Sequence, residues 1–167
     1  MTQVSTGGAR RIRVALPLKR AGFGPGTGIL TTDGELPVEF LEPGDRVVTL
    51  DRGAVPLARV IVHAAPAHQV VRLRPSVLDQ QGDGRSYLLA ARQQIVLRDW
   101  RARIMFGKRT ALVEAGRLVD GAHISRLEGA APTRLFELAF DDAQHVIQIA
   151  GGTLLAASAR LPVQAKG

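Results

Sequence analysis

Hydrophobic and polar residues follow one another in short runs, and residues that favour turns separate these runs along most of the chain. Strand-like runs include RVVTLD, YLLAA, QIVLRDW, HISRL, RLFELAF and HVIQIAGGTLLAA. From this pattern we predict roughly ten short strands. Their regular spacing favours an all-β class, a compact barrel-like or sandwich-like domain, over a parallel α/β sheet.

Turn residues at three places indicate how these strands connect. The dipeptide Asp33-Gly34 lies between apolar stretches and predicts a β-hairpin with positive φ at both turn residues. The EPGD run at 42–45 predicts a type II turn in which Gly44 takes the left-handed angle. Pro66 cannot donate to a sheet ladder, so it predicts a break between two strands within residues 55–74.

One segment has the spacing of a short helix. In ALVEAGRLVDG, residues Leu112, Ala115 and Val119 recur along one helical face, and Gly121 stands where a helix would end. The sequence therefore predicts a single helix within 111–121. The glycine-rich run GFGPGTG has no helix after it and no Lys-Ser/Thr ending, so we predict no nucleotide site and no cofactor.

Composition limits the class of protein. The 167 residues suffice for one domain with its own core. The chain contains no cysteine, which excludes disulfides and thiol nucleophiles. Apolar runs such as VIVHAAPA are far shorter than the roughly 20 residues of a membrane helix. The N-terminus lacks the apolar core of a secretory signal. We therefore expect a cytoplasmic protein that is not transmembrane.

The net charge of +7 is unevenly distributed. Residues 1–20 carry +5 without any acid, and residues 92–109 carry six bases against Asp99 alone. Such clustering indicates contact with an anionic partner, which could be a protein with an acidic surface, nucleic acid or an anionic membrane bound peripherally. Nineteen of the 22 bases are arginine and only 4% of residues are aromatic, which ranks a protein partner above nucleic acid. The alternative is a solvated basic face that binds nothing.

Two groups of residues are the candidates for that contact. The first group is basic and lies in the N-terminal arm: Arg10, Arg11, Arg13, Lys19 and Arg20. The second group lies in RQQIVLRDWRARIMFGKR and consists of Arg98, Trp100, Arg101, Arg103, Lys108 and Arg109. Tryptophan and arginine are enriched at interface hot spots, although Trp100 could equally be a core residue of the sheet.

The stretch GFGPGTGILTTDGELPVEFLEPGDRVVTLD, residues 22–51, resembles the N-terminal block of bacterial hedgehog/intein, or Hint, domains. That block begins with Cys-Phe and continues through Gly-Thr, a Thr-x-Asp-Gly hairpin, Pro-Val-Glu and Leu-x-Pro-Gly-Asp. All of these except the cysteine are present. YLLAARQQIVLRD, TALVEAGRLVDG and LFELAFDDAQHVIQI resemble later parts of the family. The resemblance covers residues 22–155 and implies a Hint-like β domain over 22–158, between an arm at 1–21 and a tail at 159–167.

The resemblance implies the reaction of the family. In that reaction the first residue of the domain attacks the preceding carbonyl and converts a peptide bond to an ester or thioester. Carried over by position, that nucleophile is Gly22, and the threonine or serine and the histidine of the second block are Ala90 and Gln93. The chain also contains no asparagine, the residue that closes the splicing reaction. We therefore predict that no catalytic residue remains and that the protein is not an enzyme.

Other reactive residues have simpler interpretations. Thr27 and Thr31 lie at turns, where a hydroxyl usually caps the backbone. Histidines with structural roles are the expectation at four positions: His63, His68, His123 and His145. No spacing typical of a metal site is present, so no metal is predicted. Carboxylates in turn-rich sequence are interpreted as solvated surface: Glu35, Glu39, Glu42, Asp45, Asp141 and Asp142.

The resulting hypothesis is a catalytically inactive Hint-like domain that serves as a structural or protein-interaction module, an accessory subunit of a larger assembly. Two alternatives stay open. One is self-cleavage by a non-standard nucleophile, and the other is binding of nucleic acid by the basic segments.

Overall fold

The computed structural model describes residues 20–74, 85–98, 100–152 and 154–160. Within them it contains thirteen strands and one α-helix, which confirms the predicted all-β class. The strands are β1 (Gly28–Thr31), β2 (Gly34–Pro37), β3 (Arg46–Thr49), β4 (Gly53–Pro56), β5 (Arg59–Ala65), β6 (Val70–Leu73), β7 (Tyr87–Ala90), β8 (Gln94–Leu97), β9 (Ala111–Glu114), β10 (Ile124–Arg126), β11 (Thr133–Ala139), β12 (Val146–Ile149) and β13 (Leu154–Ala157). Helix α1 spans Trp100–Phe106, and short 3-10 helices span Val38–Phe40, Ala67–Gln69, Ala115–Leu118 and Ala150–Gly152.

The strands form one large sheet and two small ones. The large sheet has the order β2-β1-β3-β12-β13-β8-β9, with β4 paired to β3 as its eighth strand. The small sheets have the orders β10-β6-β7 and β11-β5. Strands β5 and β11 pair over seven residues each, from Thr133 opposite Ala65 to Ala139 opposite Arg59. This ladder is the frame against which the start of the domain packs.

The first residues of the domain join the two small sheets. Phe23 forms β-bridges to Leu89 of β7 and to Phe136 of β11. Its ring is buried in the main hydrophobic cluster. Residues Leu135 and Ala90, the neighbours of those two bridge partners, belong to a second, smaller cluster. The chain at Gly22 is therefore held between two strands and beside a small apolar cluster.

The predicted turns occur where expected, and one differs in detail. A hairpin does join β1 and β2, but Asp33 has a negative φ and Gly34 alone takes a positive one, 103°. The reason is that Thr31 pairs directly with Gly34, so the tight turn consists of Thr32 and Asp33. Gly44 has the left-handed φ of 99° that the EPGD turn requires.

The strand break at Pro66 is confirmed. Strand β5 ends at Ala65, immediately before this proline. The short 3-10 helix Ala67–Gln69 then leads into β6. The two runs of apolar residues within 55–74 therefore belong to different sheets.

The helix prediction was wrong in place. The segment 111–121 begins as strand β9, with Ala111 and Val113 buried and Leu112 exposed, followed by only four residues of 3-10 helix. Pairing with β8 imposes a two-residue period there and overrides the helical spacing. The α-helix lies earlier, at Trp100–Phe106, and its single buried residue is Ala102. This helix of seven residues is shorter than the window of about 11 to 18 residues in which helical periodicity can be recognised.

Some sequence-based predictions fall on residues outside the described part. These are the arm candidates Arg10, Arg11, Arg13 and Lys19 and most of the two terminal segments, so the predicted domain boundaries stay predictions. Among the described residues, no helix has the length and hydrophobicity needed to cross a membrane.

Candidate functional site

By the sequence resemblance, the peptide bond between Ala21 and Gly22 corresponds to the bond at which the family's reaction begins. The carbonyl oxygen of Gly22 accepts a hydrogen bond from the backbone N–H of Ala90 at 2.9 Å. The next residue, Phe23, exchanges two backbone hydrogen bonds of 2.9 Å with Phe136 of β11. Strands β7 and β11 therefore fix the backbone on the C-terminal side of this bond.

Gln93 holds the amide of the same bond. Its Oε1 accepts a 3.0 Å hydrogen bond from the N–H of Gly22, and its Nε2 donates to the carbonyl of Ala157 at 2.8 Å. The side chain is buried. The structure thus brings Gly22, Ala90 and Gln93 together, although they are up to 71 positions apart in the sequence.

His63 contacts the carbonyl of that bond. Its Nε2 lies 2.9 Å from the oxygen of Ala21, and because a carbonyl only accepts, the ring must carry a proton on Nε2 and donate it. Glu137 is buried beside it, with Oε1 4.0 Å from the same nitrogen, and Arg20 pairs with Glu137 at 3.3 Å. A hydrogen bond of this kind draws electron density from the carbonyl carbon.

Sequence reasoning missed His63 and Glu137 as site residues. His63 was assigned a structural role, and its bond to a backbone carbonyl is compatible with that role, but its place at the candidate site was not predicted. Glu137 carried a usable signal, since it is the single charged residue within five consecutive buried positions of β11, 135–139. An isolated carboxylate in such a run requires a partner close by.

Gly22 itself has a conformation that side chains rarely adopt. Its φ is +144°, and a Cβ atom built on it would lie 3.0 Å from the Cβ of Leu135 and 3.4 Å from Nε2 of His63. The first of these distances is tighter than ordinary contact between carbon atoms. A nucleophilic side chain at this position would therefore meet an unfavourable backbone angle and would require a small shift of Leu135.

The two threonines near the start of the domain use their hydroxyls on the backbone, as predicted. Oγ1 of Thr27 donates to the carbonyl of Gly24 at 2.8 Å, and Oγ1 of Thr31 donates to that of Gly34 at 2.7 Å. Both side chains are buried. Their hydroxyls hold turns together and are not directed at the Ala21 carbonyl.

His145 lies between two carboxylates. Its Nδ1 is 2.7 Å from Asp51 and its Nε2 is 2.9 Å from Asp142. Burial of the ring disfavours the charged form, but the hydrogen bonds and charges of Asp51 and Asp142 outweigh it and raise the pKa of His145 above its usual 6.5. The same contacts outweigh burial at Asp51 and lower its pKa. This cluster joins the turn after β3 to the start of β12.

Asp142 is exposed, as predicted for a surface carboxylate, but it also pairs with His145 and Arg52, which the sequence did not predict. Other turn carboxylates bond backbone N–H groups: Glu35 accepts from Gly151, and Glu39 accepts from Gly26. Two histidines remain. His68 lies on a 3-10 turn, and the exposed His123 contacts Asp120.

Among the described residues, no group of three or more histidines and carboxylates could hold a metal ion.

A groove of about 1000 Å³ opens beside the Ala21–Gly22 bond. Most of the titratable side chains along it are basic: Arg20, His63, His68, Arg92, Arg117 and Arg126. Glu114 neutralises Arg92 in a 2.9 Å ion pair. We call this feature the cationic groove. Its lining gives it an excess of positive charge next to the candidate site.

The internal basic segment forms a separate surface. It consists of Arg98, helix α1 and the turn that follows, residues 107–109, and we call it the α1 tip. Trp100 is 67% exposed, so its interpretation as a core residue is wrong. The structure adds three exposed apolar residues that the sequence did not single out, because large apolar residues are more often buried: Ile104, Met105 and Phe106.

Comparison with known proteins identifies the class. The Hint domain family matches residues 21–155, most of the chain, and the chain therefore belongs to that family.

Two solved structures illustrate the fold. A bacterial intein-like domain from Clostridium thermocellum superimposes with a TM-score of 0.53 at 15% identity, covering 81% of this chain and 96% of that one. A crystal structure of the MchDnaB-1 intein gives 0.52 at 16% identity, with 82% and 99% coverage. At these identities the likeness concerns the fold alone, and it confirms the Hint-type architecture. A comparison with curated proteins finds no match to the sequence.

Proposed function

We propose that this chain is a Hint domain that does not cleave itself and that serves as a protein-interaction module, an accessory subunit of a larger intracellular assembly. The observation that supports the absence of self-cleavage is that Gly22 has no side chain. At the position where the family's reaction needs sulfur or oxygen there is no side chain, and the backbone angle and Leu135 disfavour one. A polarised carbonyl without an attacking group does not undergo an acyl shift.

The groups around the bond support the same conclusion. Gln93 occupies the position of the family's histidine, and its amide does not exchange protons near neutral pH. Its Nε2 is already bonded to the carbonyls of Ala157 and Gln94. Gln93 can therefore hold the Gly22 amide but cannot protonate it as a leaving group.

The cationic groove supports the second part of the proposal. Arg117 and Arg126 line it, Glu137 does not, and arginine suits bidentate pairing with carboxylates. The protein's own N-terminal arm is basic, so charge disfavours it as the occupant. An acidic segment of a protein partner fits this groove better, and the basic arm can contact the same acidic surface.

Intact-mass spectrometry of the purified full chain tests the absence of self-cleavage. We expect a single full-length mass after prolonged incubation with and without added thiol, while an active intein processed in parallel gives its products. A product whose new terminus lies at Gly22 would overturn the proposal.

The alternative of self-cleavage by another nucleophile has one observation in its favour, namely the 2.9 Å contact of His63 with the Ala21 carbonyl. If that contact serves catalysis, any cleavage should disappear in His63→Ala. In the inactive module the same variant keeps its full-length mass and loses only stability. The two outcomes are read from one set of mass spectra.

Co-purification tests the interaction role. The tagged native protein is expected to elute with a partner at constant ratio, and Arg117→Glu in the groove is expected to weaken that association. Arg59→Glu, an exposed residue on β5, is the matched control for the change of charge. Binding of DNA or RNA that falls steeply with salt would instead favour the nucleic-acid alternative.

A further inference from the structure

The α1 tip exposes an unusual amount of apolar side chain for its size. Trp100 is 67% exposed and Ile104 is 75% exposed, and Met105 and Phe106 are also substantially accessible. Helix α1 has only seven residues, and Ala102 alone is buried. Trp100 and Ile104 are four residues apart and so share one face of the helix, and exposed apolar side chains grouped on one short element mark an interaction site.

The same surface is strongly basic. Within residues 98–109 the sequence places five bases against Asp99 alone: Arg98, Arg101, Arg103, Lys108 and Arg109. In the structure Arg103, Lys108 and Arg109 are exposed. Apolar and cationic side chains therefore lie close together along the chain, within residues 98–109. A target for this surface must accept both kinds of group at once.

The exposure of the tip distinguishes between targets. Residues 103–110 are all exposed, and no residue of the tip lines the cationic groove. The partner must therefore adapt to a stretch of eight exposed residues. A fluid bilayer does so without a complementary pocket, whereas a protein needs a concave one. Nucleic acid would use the bases but would leave Ile104 and Met105 in water.

We propose that the α1 tip is a peripheral anchor for anionic lipid bilayers. Ile104, Met105 and Phe106 insert among the headgroups and upper acyl chains, and Trp100 lies at the interface, the depth that indole rings prefer. Arg103, Lys108 and Arg109 bind lipid phosphates and carboxylates. This activity is independent of the proposed protein partner and of the Gly22 site.

Trp100 provides the measurement, because it is the single tryptophan of the chain. The full-length protein is mixed with phosphatidylcholine vesicles, with or without phosphatidylserine, at moderate salt. We expect a blue shift of Trp100 emission and co-sedimentation with the anionic vesicles only. Quenching by lipids brominated near the headgroup should exceed quenching by lipids brominated deep in the chain.

Two pairs of variants separate the contributions. Ile104→Ser with Phe106→Ser removes the inserting groups, and Lys108→Glu with Arg109→Glu reverses two charges. Each pair should lower vesicle partitioning by about tenfold or more, while circular dichroism stays unchanged. The controls are Phe40→Ser, a 70% exposed apolar residue elsewhere, and Arg59→Glu. Both controls should bind like the wild type.

Three results would overturn the proposal. One is the absence of a Trp100 shift with anionic vesicles. Another is equal loss of binding in the control variants, which would indicate non-specific attraction of a basic protein. The third is an equal shift with soluble polyglutamate, which would identify the tip as a site for acidic protein. None of these measurements depends on whether the chain cleaves itself.

Discussion

The Gly22 site and the α1 tip differ in how their chemical groups are satisfied. At Gly22 the backbone and the neighbouring side chains are fully engaged: Gln93, Ala90 and His63 bond the amide and both carbonyls. At the tip, Trp100 and Ile104 face solvent. The hydrogen-bonding groups at Gly22 are therefore bonded within the fold, whereas the tip presents apolar side chains to solvent.

Buried and exposed positions should respond differently to substitution, and the largest difference is expected within helix α1, between Ala102 and Ile104. Ala102→Asp places an unpaired charge in the core and should cost more than about 3 kcal/mol of the free energy of unfolding. Ile104→Asp, two residues along, should change it by less than about 0.5 kcal/mol. Urea unfolding measures both. Equal losses would mean that Ile104 is packed, against the exposure described here.

Gly22 provides the next largest effect. Gly22→Ala should destabilise the domain by about 2 to 4 kcal/mol, because the side chain meets both an unfavourable φ and the Cβ of Leu135. Gly26 also has a positive φ, 82°, but open space around it, so Gly26→Ala should cost only about 1 kcal/mol. A Gly22 variant as stable as the wild type would remove the steric argument against a nucleophile there.

Gln93 should show a smaller but clear loss. In Gln93→Ala the N–H of Gly22 and the carbonyl of Ala157 lose a buried partner, and we expect a cost of about 1 to 3 kcal/mol. Gln148→Ala, at a half-buried position on β12, is the control and should stay within about 0.5 kcal/mol. Chemical denaturation measures both free energies of unfolding, with the same dependence on denaturant concentration assumed for each variant. A neutral result would indicate that water replaces the amide at Gln93.

The smallest expected effect concerns pH. The pKa of His145 is raised in the folded protein, so its contribution is present below the unfolded value of about 6.5 and is lost as pH rises through the folded value. Asp51 has a lowered pKa and contributes above its unfolded value, and that part is lost in acid. Tm should therefore fall by a few degrees between mildly acidic and mildly alkaline pH. This dependence of Tm on pH should be absent in His145→Gln. An unchanged dependence in that variant would show that other groups cause it.

The accuracy of the sequence predictions follows the range of the interactions involved. The EPGD turn and the break at Pro66 depend on local backbone preferences, and both are correct. The helix at 111–121 was wrong because pairing with β8, a non-local interaction, decided that segment. The contact of His63 with the candidate site was not predicted for the same reason. Its partner, the Ala21 carbonyl, is 42 positions away and is brought to it by the β5–β11 ladder and Phe23.

The sequence by itself determined the all-β class, the turn positions, the membership of the Hint family and the absence of cysteine and asparagine, because these depend on residue identity and on local backbone geometry. Only the tertiary structure decided that His63 contacts the Ala21 carbonyl and that Glu137 lies beside His63, that Leu135 crowds Gly22, and that Trp100 is exposed. Each of these facts depends on strand register and on which face of an element is covered. Such properties arise from contacts between residues far apart in the chain, which local patterns do not encode.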